Sequence, residues 1–246
     1  MTKKVKTRLP KELIIIQNKD KLFHEKWTKG RDMINLPHPF RMVCLGKPNC
    51  GKGIVIKNIL LKADPPFQDL FIIHCDPDFT EEWDDLGGQM LPEIPNPDDW
   101  AGEVKTLVVL DDLEFKSMSK IQKRNLDRLF GFVSTHKNIS ICLAAQDTFN
   151  VPPIVRRCSN VWVLWKNDDL DSLASTARKT GMSSQNFNTI FNELMMNTHD
   201  SLWIDNTSGT PYPLRKNGYT VISKTDGKES AKMLEKLQEK DKFSET

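Results

Sequence analysis

Met42-Val43-Cys44-Leu45-Gly46-Lys47-Pro48-Asn49-Cys50-Gly51-Lys52 is the stretch whose reading decides the fold of this chain. A short apolar run leads into Gly46, four residues separate Gly46 from Gly51, and Lys52 follows at once. Beyond it Ile54, Ile56, Ile59, Leu60 and Leu61 recur with helical spacing, until Asp64-Pro65-Pro66 stops the pattern. The expected unit is a buried strand, a tight glycine turn and a helix. Glycines at these two points let the backbone wrap closely and turn its N–H groups inward, and the helix that follows adds the positive end of its dipole. This is the pattern of a phosphate-binding loop. The candidate binding set is Gly46, Lys47, Pro48, Asn49, Cys50, Gly51, Lys52, Gly53 and Ile54, with Lys52 reaching the β and γ phosphates of a nucleoside triphosphate. A plain strand–turn–helix corner is the competing reading, and the strand before the loop and the helix after it weigh against that.

One position departs from the pattern. Gly53 stands where a Ser or Thr hydroxyl ordinarily ligates Mg²⁺. Three consequences are open: water fills the place, magnesium binds more weakly, or hydrolysis is impaired. Binding of the phosphates does not need the hydroxyl, because the backbone cradle and Lys52 remain.

Outward from the loop, further apolar runs appear at Leu70–Cys75, Thr106–Asp111, Ile139–Ala145 and Val161–Trp165. They are continuous rather than alternating, which marks strands buried on both faces and hence a mostly parallel α/β sheet flanked by helices. Ser119 to His136 carries apolar residues at helical spacing, and residues 168–197 read as one or two helices broken near Gly181. Residues 76–100, rich in Pro, Asp and Gly, read as a long irregular connection. Ser201–Asp205 and the stretch from Tyr212 to Ile222 suggest a small C-terminal β extension, and Leu13–Ile16 is a further short strand candidate.

The run Leu107-Val108-Val109-Leu110 ends in Asp111-Asp112. In a phosphate-loop protein the first carboxylate orients Mg²⁺, usually through water, and the second polarises the attacking water. Asp111 is the candidate metal residue and Asp112 the candidate base, with Glu114 a less favoured substitute. Gln146 closes the next strand, at the carboxyl edge where ligands of such sheets bind; an amide there senses the γ phosphate or positions water. Arg156 and Arg157 follow Pro152-Pro153, and an arginine offered across a subunit boundary neutralises transition-state charge. Arg124 and Arg128 are the rivals for that role. Lys52, Asp111, Asp112, Gln146, Arg156 and Arg157 form the candidate catalytic set. The strand at residues 70–75 lies between the two motif strands, an insertion that marks the motor-ATPase branch of phosphate-loop proteins.

The bulk numbers exclude other classes. The 246 residues are 38% hydrophobic and 28% charged, within the range of a globular protein with a packed core. No apolar run approaches the ~18 residues of a membrane helix, and the Lys-rich N-terminus lacks the apolar core of a secretion signal. Cys44, Cys50, Cys75, Cys142 and Cys158 show no metal or redox spacing and read as free thiols. Residues 1–40 hold ten Lys/Arg against four Asp/Glu. Such a basic arm suits either contact with nucleic acid or plain solvation. The expected organisation is a basic arm over 1–37, a phosphate-loop domain over 38–223 and a charged tail over 224–246.

Taken together, the loop at Gly46–Lys52, the strand ending Asp111-Asp112, Gln146, and the stretch Gln146-Asp147-Thr148-Phe149-Asn150-Val151-Pro152-Pro153-Ile154-Val155-Arg156-Arg157 leading to Val161–Trp165 resemble the viral genome-packaging ATPases of the FtsK–HerA superfamily. The likeness spans roughly residues 38–205 and is greatest to the packaging ATPases of large DNA viruses, such as poxviruses, and of virophages. It implies a core sheet in the order 5-1-4-3-2, ATP and Mg²⁺ as cofactors, and movement of double-stranded DNA. It also implies a homo-oligomeric ring, hexamer or pentamer, with capsid proteins as further partners and no membrane. The setting it implies is the host cytoplasm, at a virus factory, or the virion. Two other readings stand beside it: a helicase-like or clamp-loader-like ATPase, and a nucleotide-binding module whose Gly53 marks weak hydrolysis.

Overall fold

A computed structural model describes residues 31, 35–79, 81–166, 169–207, 210 and 212–222. The strand candidate at 13–16, most of the basic arm and the charged tail lie outside these.

Among the described residues nine strands form one sheet. They are β1 (Arg41–Leu45), β2 (Asp69–His74), β3 (Gln89–Leu91), β4 (Thr106–Asp111), β5 (Ile139–Ala145), β6 (Val161–Trp165), β7 (Ser201–Asp205), β8 (Leu214–Lys216) and β9 (Thr220–Val221). Their spatial order is β3-β2-β4-β5-β1-β6-β7-β8-β9. Counting only the five core strands read from the sequence, this is the expected order 5-1-4-3-2. All pairs from β3 to β6 run parallel, and β6·β7, β7·β8 and β8·β9 are antiparallel, which is the expected C-terminal extension.

Helices cover both faces. α1 (Lys52–Leu61) follows the loop, and α2 (Lys120–Arg128) runs on through a π-helical turn at Leu129–Val133 to His136. α3 (Pro153–Cys158), α4 (Leu170–Thr180) and α5 (Ser184–Leu194) complete the set, with Gly181 capping α4 in the left-handed region at φ 73°. The continuous apolar runs have the anticipated physical cause. Alternate residues of one strand enter different cores. Val43, Val108, Ile141 and Trp162 pack with α2, α4 and α5 on one face. Met42, Cys44, Val109, Cys142 and Val163 pack with Ile56 and Ile59 of α1 on the other.

The connection over 76–100 is more ordered than its composition suggests. Three helical turns (Pro77–Phe79, Asp84–Leu86, Pro97–Asp99) and the edge strand β3 are built into it. Two tryptophans pin it: Trp83 is 1% exposed, and Trp100 stacks on Phe71 at 5.2 Å between ring centroids. Both β3 and these anchors depend on contacts far away in sequence, which a local reading of Pro, Asp and Gly does not register. Cys44, Cys50 and Cys142 are buried free thiols as expected, while Cys75 is exposed and Cys158 partly so. The segment before β1 is tied down as well: Arg31 forms a 2.6 Å ion pair with Asp205 of β7, and Leu36 is buried.

Candidate functional site

Parallel register brings the motif residues to one level. Leu45 pairs with Ala145, so Gly46 and Gln146 leave the sheet together, and the Gly46 N–H donates to the Ala145 carbonyl at 3.1 Å. Two strands further along, His74 pairs with Asp111 at the same edge. The loop turns sharply there, with Asn49 at φ 61° and Gly51 at φ 103°. Gly51 occupies a conformation that a side chain disfavours, which is the physical reason for glycine at that point. No side chain caps the first turn of α1 and no acidic residue lies in it, so its positive end is left for an anion. The Lys52 ammonium folds back and donates to the carbonyls of Gly46 at 2.8 Å and Lys47 at 3.0 Å.

These groups open onto one cavity of about 690 Å³. Its lining includes Pro48 to Val55 together with Asp111, Asp112 and Gln146. Asp111 is 8% exposed and accepts a 3.1 Å hydrogen bond from the Trp83 indole N–H. Burial pushes its carboxyl above the usual carboxylate value; the neighbouring Asp112 charge adds to this, and the Trp83 bond works against it. Asp112 is exposed and holds φ 48°, so the chain turns out of the sheet between the two carboxylates. Glu114 bonds Ser117 instead and lies on a neighbouring depression shared with Asp112 and Gln146.

The arginines lie elsewhere. Arg156 and Arg157 line a separate depression on α3 and α4 with Arg178 and Lys179. Burial and the adjacent Arg156 charge lower the Lys179 ammonium below the usual lysine value. Arg128 is engaged with Asp98 at 2.5 Å, and Arg124 sits beside it on α2. None of these four lines the cavity at the loop.

The same architecture recurs in solved structures. B204, the genome packaging NTPase of Sulfolobus turreted icosahedral virus 2, in complex with AMPPCP, superposes with TM-score 0.53 at 12% identity, over 75% of this chain and 99% of that one. B204 from Sulfolobus turreted icosahedral virus, a DNA-packaging ATPase, gives 0.52 at 13% identity, over 71% and 95%. The fold is that of a P-loop NTPase. No family model and no curated protein sequence matches the chain.

Within this P-loop fold the structure adds cavity residues that the sequence motifs do not reveal: Glu82, Trp165 and His199. Trp165 packs its side chain against Gly46 and Gly51 from the end of β6. His199 reaches the loop from the turn before β7, its Nδ1 3.3 Å from the Cys50 carbonyl oxygen. Only the aromatic end of the Val161–Trp165 run hinted at the first; nothing local marks the other two. Among the described residues no three His, Cys, Asp or Glu side chains form a cluster able to cage a metal unaided. The oxygen donors at hand suit Mg²⁺ in the manner that leaves most of its coordination to phosphates and water.

Proposed function

We propose that the chain is an ATP-driven motor that moves double-stranded DNA into a viral capsid, as one subunit of a homo-oligomeric ring of five or six. One observation carries the reading. A phosphate-loop lysine, two carboxylates ending a strand set apart from the loop strand, and a strand-end amide converge on a single cavity at the carboxyl edge of the sheet. The B204 structures support it, being genome packaging enzymes of the same fold.

In this mechanism Lys52 leaves the carbonyls of Gly46 and Lys47 and turns onto the β and γ phosphates, while the first turn of α1 receives the phosphate oxygens. Asp111 and Asp112 stand beside the place of the metal, which, when bound, neutralises charge on the phosphates. Asp112, exposed and next to the cavity, is placed to accept a proton from the attacking water. Gln146 faces the terminal phosphate and reads its presence. Arg156 or Arg157, with Arg178 and Lys179 beside them, forms a positive face suited to a neighbouring subunit's triphosphate rather than the chain's own. The place of action in this reading is the host cytoplasm or the virion. Among the described residues no helix is long and apolar enough to cross a membrane.

The deciding experiment is ATP hydrolysis by the full chain with and without duplex DNA. The motor reading expects DNA to raise the rate, and Lys52→Ala to abolish it. Equal rates with and without DNA would remove translocation. Rates near zero in both, with intact ATP binding, would favour a nucleotide-binding module instead, the reading that Gly53 invites.

A further inference from the structure

The missing hydroxyl at Gly53 has a physical counterpart. A Cβ placed on Gly53 would overlap Glu82 Oε1 and stand 2.8 Å from its Cδ. Oε1 thus lies within about a covalent bond length of the point from which a Ser or Thr hydroxyl would project. Any side chain at 53 would displace the carboxylate, so glycine there and glutamate at 82 fit as a pair.

The position of Glu82 is built rather than incidental. The next residue, Trp83, is buried and bonds Asp111 Oδ2, which clamps this part of the β2–β3 connection onto the end of β4. The Glu82 charge is felt at Asp111, where it adds to the upward pressure on that carboxyl behind burial and Asp112. Glu82 is exposed to the cavity and makes no hydrogen bond or ion pair with another described residue. A carboxylate held at the mouth of a phosphate loop, unpaired among the described residues and next to the lysine's neighbour, is a hard oxygen donor suited to a cation.

We propose that Glu82 supplies the Mg²⁺ oxygen that the loop itself lacks, making the metal site from a distant connection instead of from α1. The inference rests on the reading of this cavity as a nucleotide-phosphate site. It carries a consequence that an ordinary loop hydroxyl does not. A neutral hydroxyl tolerates metal-free ATP, whereas a third carboxylate lining the same cavity as Asp111 and Asp112 repels it. Binding of ATP should therefore depend on the metal more strongly than Lys52 alone would dictate.

Calorimetric titration of the full chain with ATP, once with Mg²⁺ and once with EDTA, tests this. Glu82→Gln should weaken Mg²⁺·ATP about tenfold and strengthen metal-free ATP, two shifts of opposite sign that loss of structure cannot produce. Gly53→Ser alone should bind Mg²⁺·ATP poorly, because the serine meets Glu82. Gly53→Ser combined with Glu82→Ala should recover affinity for Mg²⁺·ATP. An unchanged ratio of the two affinities in Glu82→Gln, or no recovery in the double variant, would overturn the assignment while leaving the phosphate site standing. Absence of ATP binding by the wild-type chain in both conditions, or binding indifferent to Lys52→Ala, would overturn the phosphate site itself and the assignment with it.

Discussion

In the role proposed for it, Asp111 sets function against stability in one residue. Its carboxyl is buried, lies within reach of the Asp112 charge, and is held above the usual carboxylate value. A group raised in this way favours the folded state only when protonated. Its favourable contribution is complete below the ordinary carboxylate value of 3.8 and is lost as pH rises through the folded value. Asp111→Asn keeps an acceptor for the Trp83 indole and removes the buried charge. We expect it to raise the thermal midpoint at pH 7, on the order of 1 kcal/mol or about 2–4 °C for a chain of this size, and the gain to vanish near pH 3. The same variant should lose ATP hydrolysis by about a hundredfold or more, as removal of a transition-state electrostatic group does. Thermal melts across pH beside a hydrolysis assay check both; a lower midpoint at pH 7 would contradict the first. Gly51 and Lys52 were legible in the sequence because their chemistry needs fixed spacing along one strand–turn–helix unit, and Asp111 because it ends an unbroken apolar strand. Glu82, Trp165 and His199 were not, since each reaches the loop from a separate element and only folding brings it there.

At the scale of elements, the short turn from Asn197 to Asp200 decides whether His199 stays against the loop. Asp200 accepts from the Asn197 N–H at 2.9 Å, from Asn217 at 3.2 Å and pairs with Lys216 at 3.0 Å. Burial alone would lift its carboxyl, but these donors together hold it below the usual value. A carboxyl lowered in this way stabilises the fold above its ordinary value, and that contribution is lost as pH falls through the folded value. Asp200→Asn should therefore cost about 1–3 kcal/mol at neutral pH, as loss of charged hydrogen bonds does, with the difference from wild type closing in acid. Denaturant melts at pH 7 and pH 3 measure it, and equal stability at pH 7 would count against the role of this turn. The core strands were read correctly because burial on both faces leaves an unbroken apolar run. The edge strand β3 escaped, having three residues, one of them exposed, and a pairing partner in β2 that local propensity cannot announce.

The whole molecule places two of the six tryptophans of the chain at the cavity, Trp83 through Asp111 and Trp165 against Gly46 and Gly51. The order of the core strands was expected only through the likeness to the packaging ATPases, since buried parallel strands and right-handed crossovers narrow the arrangements without choosing one. The approach of the turn before β7, which brings His199 against the loop, was not legible, since no motif marks it. The placement of the two tryptophans gives the protein a built-in optical reporter. On the proposed motor reading, movement of Lys52 away from the loop carbonyls, and of Asp111 toward a cation, would change the surroundings of both indoles. Addition of ATP with Mg²⁺ should shift the intrinsic fluorescence emission, without any attached dye. The shift should disappear in Lys52→Ala and fall by about half in Trp165→Phe if the two indoles respond equally. An emission spectrum indifferent to ATP in the wild-type chain would mean that neither indole senses the loop. A signal of this kind would let stopped-flow mixing time each filling and emptying of the site, so its rhythm could be read from light that the polypeptide emits by itself.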